Sequence, residues 1–244
     1  MALTFGSLFA GIGGLDLGLE RAGMTCRWQI EVDDYCRAVL AKHWPDVPKY
    51  GDIREVIGHE LERVDIICGG FPCQDISNAG KRAGIGGERS GLWVEYIRLV
   101  RVVRPRYVLV ENVAALISAG LPVVLGDLAA SGYDAEWQCL PAASFGAPHI
   151  RDRAFILAYA HGDGRQAPEG LSARSQRRGL VAEPVLRDPL PPSRDDWTAN
   201  QPGILRVADG VSYRLDELRR RALGNAVVPQ VGEWIGRRIM AVRS

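Results

Sequence analysis

Residues 68–77 read CGGFPCQDIS, and the apolar run VDIICGG leads straight into them. Buried cysteines behave as small hydrophobes, which suits Cys68 inside the run. Cys73 instead stands between Pro72 and Gln74 in a glycine-bounded loop, the setting of a nucleophile. Glu111 and Asn112 fall at the end of a second apolar run, YVLVENV, and Arg151 and Arg153 come further on; with Pro72, Cys73 and Gln74 they are read as lying at carboxyl strand ends, where an open α/β sheet binds its ligands. A thiol and a carboxylate on neighbouring strand ends can act as nucleophile and proton-handling partner, and nearby guanidinium charge favours the thiolate. A loop cysteine taken alone is far more often inert; the company Cys73 keeps reverses that weighting. Upstream, FAGIGGLDLG follows a strand and opens a helix, where Gly11, Gly13 and Gly14 let the backbone turn tightly against a ligand at a helix N-terminus. Glu31 ends the next strand, at roughly the spacing from which a carboxylate grips ribose hydroxyls. The glycine spacing departs from GxGxxG, so an adenosyl ligand is favoured over a dinucleotide. Asp52, in GDIRE, belongs to a third loop of the same crevice. It is either an acceptor for an adenine amino group or a turn aspartate.

These groups need strands that end side by side. From residue 4 to about 160, short apolar runs alternate with helical segments: TFGSLFAG, CRWQIEV, VDIICGG, RYVLVENV, YDAEWQCL and RAFILAYA read as strands. GGLDLGLERAG, DDYCRAVLAKHW, LWVEYIRLVRVV and LPVVLGDLAASG read as helices, the last ended by Gly132. That alternation predicts an α/β fold with a mostly parallel sheet and helices on both faces. Near residue 161 the pattern breaks into a proline-rich stretch of mixed charge, a floppy insertion or a small loop-rich lobe. Strong helical character then returns over 213–242, with Pro229 near a helix start.

Composition narrows the class. The chain of 244 residues has a net charge of +1, so a nucleic-acid surface must come from local arginine clusters. Five widely spread cysteines, an odd number, argue against a disulfide scaffold, and none has zinc-ligand spacing. No apolar stretch reaches the ~20 residues of a bilayer span, so a soluble cytoplasmic protein without a membrane partner or metal is expected.

In order, FAGIGG, PCQ after a buried strand, ENV, a two-arginine RxR and GNAVVPQ resemble the DNA cytosine-5 methyltransferases of bacteria and phage, over about residues 4–160 and 205–242. The resemblance implies a Rossmann-like, S-adenosylmethionine-dependent methyltransferase sheet carrying a small recognition lobe. Its domains would be 1–160 for catalysis and cofactor, 161–215 for target recognition, and a C-terminal helix over 216–244 returning to the catalytic domain. It implies further that Phe9, Gly11, Gly13 and Gly14 line the S-adenosylmethionine pocket, with Glu31 on the ribose and Asp52 and Ile53 near the adenine. Cys73 would be the nucleophile and Glu111 the holder of the base, while Arg151 and Arg153 would steady base and thiolate. Asn225 and Val227 would complete the cofactor pocket, and Pro72, Gln74 and Asn112 would border the substrate. The family's glutamine two residues before the first arginine is His149 here, and Val32 replaces an aromatic ring that some members place against the adenine.

Cytosine C5 is a weak nucleophile until a thiolate adds at C6, and a stacked base cannot be reached, so the implied chemistry requires an extruded base in double-stranded DNA. NAGKRAGIGGERSG at 78–91 offers five glycines for a closing loop and Lys81, Arg82 and Arg89 for phosphates. RSQRR at 174–178, Arg187, Arg194 and Trp197 are candidates for base or phosphate contact, though each arginine alone is more simply a solvated loop residue. A monomer is expected, since all the parts lie in one chain, with a cognate restriction enzyme as a possible partner. The alternatives are a transfer-RNA cytosine-5 methyltransferase and a DNA-binding member whose chemistry has lapsed.

Overall fold

The computed structural model describes residues 2–72, 91–147, 149, 151–161 and 213–241, with backbone alone at 213–216. Every apolar run read as a strand is one: β1 Thr4–Leu8, β2 Thr25–Ile30, β4 Ile66–Gly70, β5 Tyr107–Val113, β6 Tyr133–Pro141 and β7 Asp152–Ala160. A two-residue strand, β3 Lys49–Tyr50, precedes the GDIRE loop. The expected helices are α1 Gly14–Arg21, α2 Asp34–His43, α3 Gly91–Val103 and α5 Leu121–Ala130, with a short α4 at Leu116–Ala119. The C-terminal stretch holds two helices, not one: α6 Tyr213–Asn225 and α7 Pro229–Ala241. Proline at the first position of α7 has its φ already set and lacks an N–H that would find no helical acceptor there.

The strands form one sheet in the order β3-β2-β1-β4-β5-β7-β6. Strands β1 to β5 pair in parallel, and β7 runs antiparallel to both β5 and β6. Both faces are covered, which is why the central strands read as unbroken apolar runs. Alternate residues serve opposite faces. Ile67, Val108 and Val110 pack with Trp93, Tyr96 and Val100 of α3 and Val124 of α5, whereas Ile66, Cys68 and Leu109 pack with Leu15 and Leu19 of α1 and Val231 and Ile235 of α7. Helices α1 and α7 approach closely because glycines line their contact. A Cβ on Gly18 would fall 2.4 Å from the Pro229 carbonyl oxygen.

One ionisable group is sealed between these layers. Asp16 of α1 is fully buried and accepts from Ser7 Oγ at 2.6 Å and Gln29 Nε2 at 2.7 Å, joining β1, α1 and β2 under the glycine loop. Burial raises its carboxyl from 3.8 to about 6, against the pull of those two hydrogen bonds. Among the described residues, no helix is long and apolar enough to cross a membrane.

Topology decides where chemistry can gather. The parallel strands end at a common edge, where strand order turns at β1 and leaves a crevice. Sequence reasoning set Arg151 and Arg153 at a carboxyl strand end as well. They lie instead at the amino end of β7, and reach the same edge because β7 runs antiparallel, pairing Arg153 with Val113 and Ala154 with Asn112.

Candidate active site

The chain leaves β1 through a series of left-handed residues, Phe9 at φ 53°, Gly11 at 56° and Gly13 at 81°. Glycine takes this conformation freely, whereas Phe9 must be held in it. Its ring stacks on Tyr96 with centroids 6.5 Å apart. A Cβ on Gly13 would enter the Trp44 ring at 2.5 Å, and one on Gly14 would fall 2.2 Å from the Val227 carbonyl oxygen, so the segment between α6 and α7 rests directly on the loop. Gly11 is different, because among the described residues a Cβ there would meet nothing within 4 Å. Its N–H donates to Glu31 Oε2 at 2.7 Å, while Glu31 Oε1 accepts from the Asp33 N–H at 2.8 Å. Glu31 thereby ties the first two loops together, and each carboxylate oxygen keeps a second lone pair. Val32, beside it, is 63% exposed.

The third loop departs in part from expectation. Asp52 accepts at Oδ1 from the Arg54 N–H at 3.0 Å and Nε at 2.9 Å, and those bonds hold its carboxyl down at about 2. It is the aspartate of a turn, whatever else it meets. The Ile53 side chain is buried in the core cluster that holds Trp93 and Ile97, so any contact it offers the crevice comes through its backbone. Open space over Gly11, a carboxylate at its edge and the exposed apolar Val32 nevertheless fit an adenosyl group.

At the middle of the edge, β4 ends at Gly70, Phe71 is buried and Pro72 is exposed. Cys73, Gln74, Lys81, Arg82 and Arg89 lie outside the described residues, as do all but Gly91 of the expected closing loop over 78–91 and nearly all of the expected lobe over 161–215. What sets the exit toward Cys73 is Asn112. Its buried side chain donates from Nδ2 to the Phe71 carbonyl at 3.0 Å, and its Oδ1 accepts from the Val113 N–H at 2.8 Å. Its amide is therefore engaged with backbone, whereas the sequence reading sets it at the substrate.

Glu111 is 8% exposed and forms an ion pair with Arg153, Nε to Oε1, at 2.9 Å. Burial pushes its carboxyl up, against Arg153 and then Arg151, which draw it down. Gly70, its partner across the ladder, leaves room for the acid: a Cβ there would fall 2.4 Å from Glu111 Oε2. Arg151, with φ 36°, reaches the other way and donates from Nη1 to the Gly224 carbonyl at 2.6 Å. Burial lowers its guanidinium, and its Nε and Nη2 have no hydrogen-bond partner among the described residues. The two arginines share a small cavity with Phe155, Val227 and Val231. Asn225 and His149 are exposed. The structure thus joins Glu111 to Arg153, Gly11 to Glu31 and Gly14 to Val227, while Arg151 braces the C-terminal segment.

Sequence reasoning gave Gly70 no role beside Glu111, although the second glycine of CGG, directly ahead of the cysteine loop, was the signal for it.

The comparisons agree with this geometry. The model of the C-5 cytosine-specific DNA methylase family matches residues 3–200. The type II methyltransferase M2.BsuMI of Bacillus subtilis strain 168 is 39% identical over 163 residues, covering 62% of this chain and 41% of the relative. M.NgoFVII of Neisseria gonorrhoeae is 34% identical over 157 residues, covering 62% and 42%. This chain therefore spans less than half the length of these curated relatives. The Entamoeba histolytica methyltransferase EhMeth superposes with a TM-score of 0.67 over 99% of this chain and 98% of its own, at 14% identity, a likeness of fold. With the matched family model spanning most of its length, the chain belongs to the C-5 cytosine-specific DNA methylase family.

Proposed function

We propose that this chain methylates cytosine in double-stranded DNA at C5, with S-adenosylmethionine as donor and Cys73 as the covalent nucleophile on an extruded base. The observation that carries the reading is the buried Glu111–Arg153 pair at 2.9 Å, next to a strand exit held by Asn112 that leads in two residues to Cys73. A carboxyl pushed up by burial can hold a proton toward the ring nitrogen of cytosine. Cys73 thiolate adds to C6, forming the S–C6 bond and moving the C5–C6 pair onto C5. Bound S-adenosylmethionine would supply the electrophilic methyl that C5 takes up, the S–CH3 bond breaking with its electron pair left on sulfur as a neutral thioether. Loss of the C5 proton to a base returns the electron pair to C5–C6 and expels the thiolate. Arg153 holds the Glu111 carboxyl in place and lends positive charge to the pocket.

The cofactor is held by the Phe9–Gly14 loop and Glu31, with the segment around Asn225 and Val227 closing behind. Residues 1–160 supply catalysis and cofactor binding, 161–215 target recognition, and 216–244 the return to the catalytic domain. Lys81, Arg82 and Arg89 meet phosphates when the loop after Cys73 closes, with Pro72 and Gln74 bordering the base. The chain acts as a cytoplasmic monomer, and its type II relatives suggest a cognate restriction enzyme as partner. The test is methyl transfer from labelled S-adenosylmethionine to unmethylated plasmid DNA, with bulk RNA in parallel and bisulfite sequencing of the DNA. Protected cytosines in a fixed short context are expected. Label in RNA alone would replace DNA as substrate, and cofactor binding without transfer to either would point to a member whose chemistry has lapsed.

A further inference from the structure

Between β3 and β4 the chain runs for fifteen residues, 51–65, without a helix or strand, yet this segment carries Asp52 and Ile53. Its own backbone bonds are sparse: Glu55 N–H to Asp52 at 3.0 Å, Val56 N–H to Ile53 at 3.4 Å and Leu61 N–H to Gly58 at 3.2 Å. Apolar contact presses it onto α3 through Ile53, Val56 and Leu61. Such packing is non-directional and does not orient peptide planes.

Orientation comes from Arg98. Its Nη2 donates to the Ile53 carbonyl at 3.0 Å and to the Val56 carbonyl at 2.9 Å, while Nε is paired with Glu95 Oε2 at 2.6 Å. The peptide unit joining residues 53 and 54 is thus held at both ends. Arg98 takes its C=O, and the Asp52 carboxylate takes its N–H, donated by Arg54 at 3.0 Å. A planar unit held at both ends cannot rotate, so the Asp52 carboxylate and the backbone of Ile53 are set relative to helix α3. That helix follows directly on the segment that contains Cys73.

We propose that Arg98 is a positioning residue for the adenosyl side of the cofactor pocket, raising affinity for S-adenosylmethionine without touching the reacting atoms. The proposal rests on the cofactor reading above. It is tested by titration calorimetry of the full chain with S-adenosylmethionine, beside thermal unfolding and methyl transfer to plasmid DNA. The variants are Arg98→Met, Arg98→Lys and Arg101→Met. Arg101 is a control on the same helix that donates to Ser131 Oγ at 2.9 Å, away from the pocket. Arg98→Met should weaken cofactor binding about tenfold, the scale of a lost charge-assisted hydrogen bond. Turnover at saturating cofactor should stay within about twofold, and DNA affinity should be unchanged. Arg98→Lys keeps one donor head for the two carbonyls and should recover most of the affinity. Arg101→Met should lower the unfolding temperature without moving cofactor affinity. Equal cofactor affinity in wild type and Arg98→Met would overturn the proposal, as would an equal loss in Arg101→Met. A wild-type chain that binds no cofactor would overturn the pocket reading and this proposal with it, a result distinct from the other two.

Discussion

Gly70 sits where a single methyl group can separate folding from chemistry. Its φ is not left-handed, so alanine is allowed by the backbone, and replacing a strand glycine gains roughly 0.5–1 kcal/mol through the unfolded chain. The new Cβ, however, would stand 2.4 Å from Glu111 Oε2 and 3.2 Å from the Glu111 carbonyl oxygen. Ordinary contact requires about 1 Å more. The main chain is pinned by the β4–β5 ladder, so the carboxylate must swing and stretch its 2.9 Å pair with Arg153. Overpacking of this kind costs roughly 1–3 kcal/mol, of which the glycine gain returns part. Net destabilisation should be about 1–2 kcal/mol, a fall of roughly 2–8 °C in Tm for a chain of this size. The effect on catalysis should be larger, since misplacing a catalytic group by about 1 Å can cost on the order of 100-fold. The assay is kcat/KM for methyl transfer in Gly70→Ala, beside calorimetric binding of S-adenosylmethionine and thermal unfolding. The expected pattern is kcat/KM down about 100-fold, cofactor affinity unchanged and a modest loss in Tm. A variant that folds and turns over like wild type would show that the carboxylate position is not critical, and would refute the role given to Glu111.

Cys73→Ala should abolish methyl transfer and leave cofactor binding intact, and turnover by that variant would remove the covalent mechanism. Asp16→Asn tests the buried acid through pH. Because burial raises the Asp16 carboxyl from 3.8 to about 6, its protonated form stabilises the fold below 3.8, and that contribution is lost as pH rises through about 6. Wild type should therefore lose up to about 3 kcal/mol on this account between pH 4 and 8. The asparagine variant, neutral throughout and offering a donor to Gln29 Oε1, which has no hydrogen-bond partner among the described residues, should lack that slope in thermal unfolding. Deletion of residues 165–200 should spare cofactor binding and lose sequence-selective methylation in bisulfite reads. Retained selectivity would move recognition elsewhere in the chain.

Much of the fold was legible because it is written in local patterns. Strands buried on both faces read as unbroken apolar runs, helices carried their period, and Pro229 marked the start of α7. The glycine loop was legible for the same reason, since left-handed backbone at Gly11 and Gly13 and close approach at Gly14 leave few other residues possible. The family order of FAGIGG, PCQ, ENV, RxR and GNAVVPQ was likewise a property of the chain read end to end. What each side chain does was not. Asn112 was read as a substrate contact and proved to hold the Phe71 carbonyl; Ile53 was placed by the adenine, yet its side chain is in the core. Arg151 and Arg153 were read as steadying base and thiolate, and nothing in the spacing told that Arg153 pairs with Glu111 while Arg151 donates to the end of α6. Residue type and spacing along one chain determine which element forms and which face it buries. Partners 41 to 73 residues apart, such as Asn112 with Phe71, Arg98 with Ile53 and Arg151 with Gly224, meet only once the sheet has set its strand order and turned β7 antiparallel. Hydrogen bonds are short and directional, so those contacts were the tertiary structure's to decide.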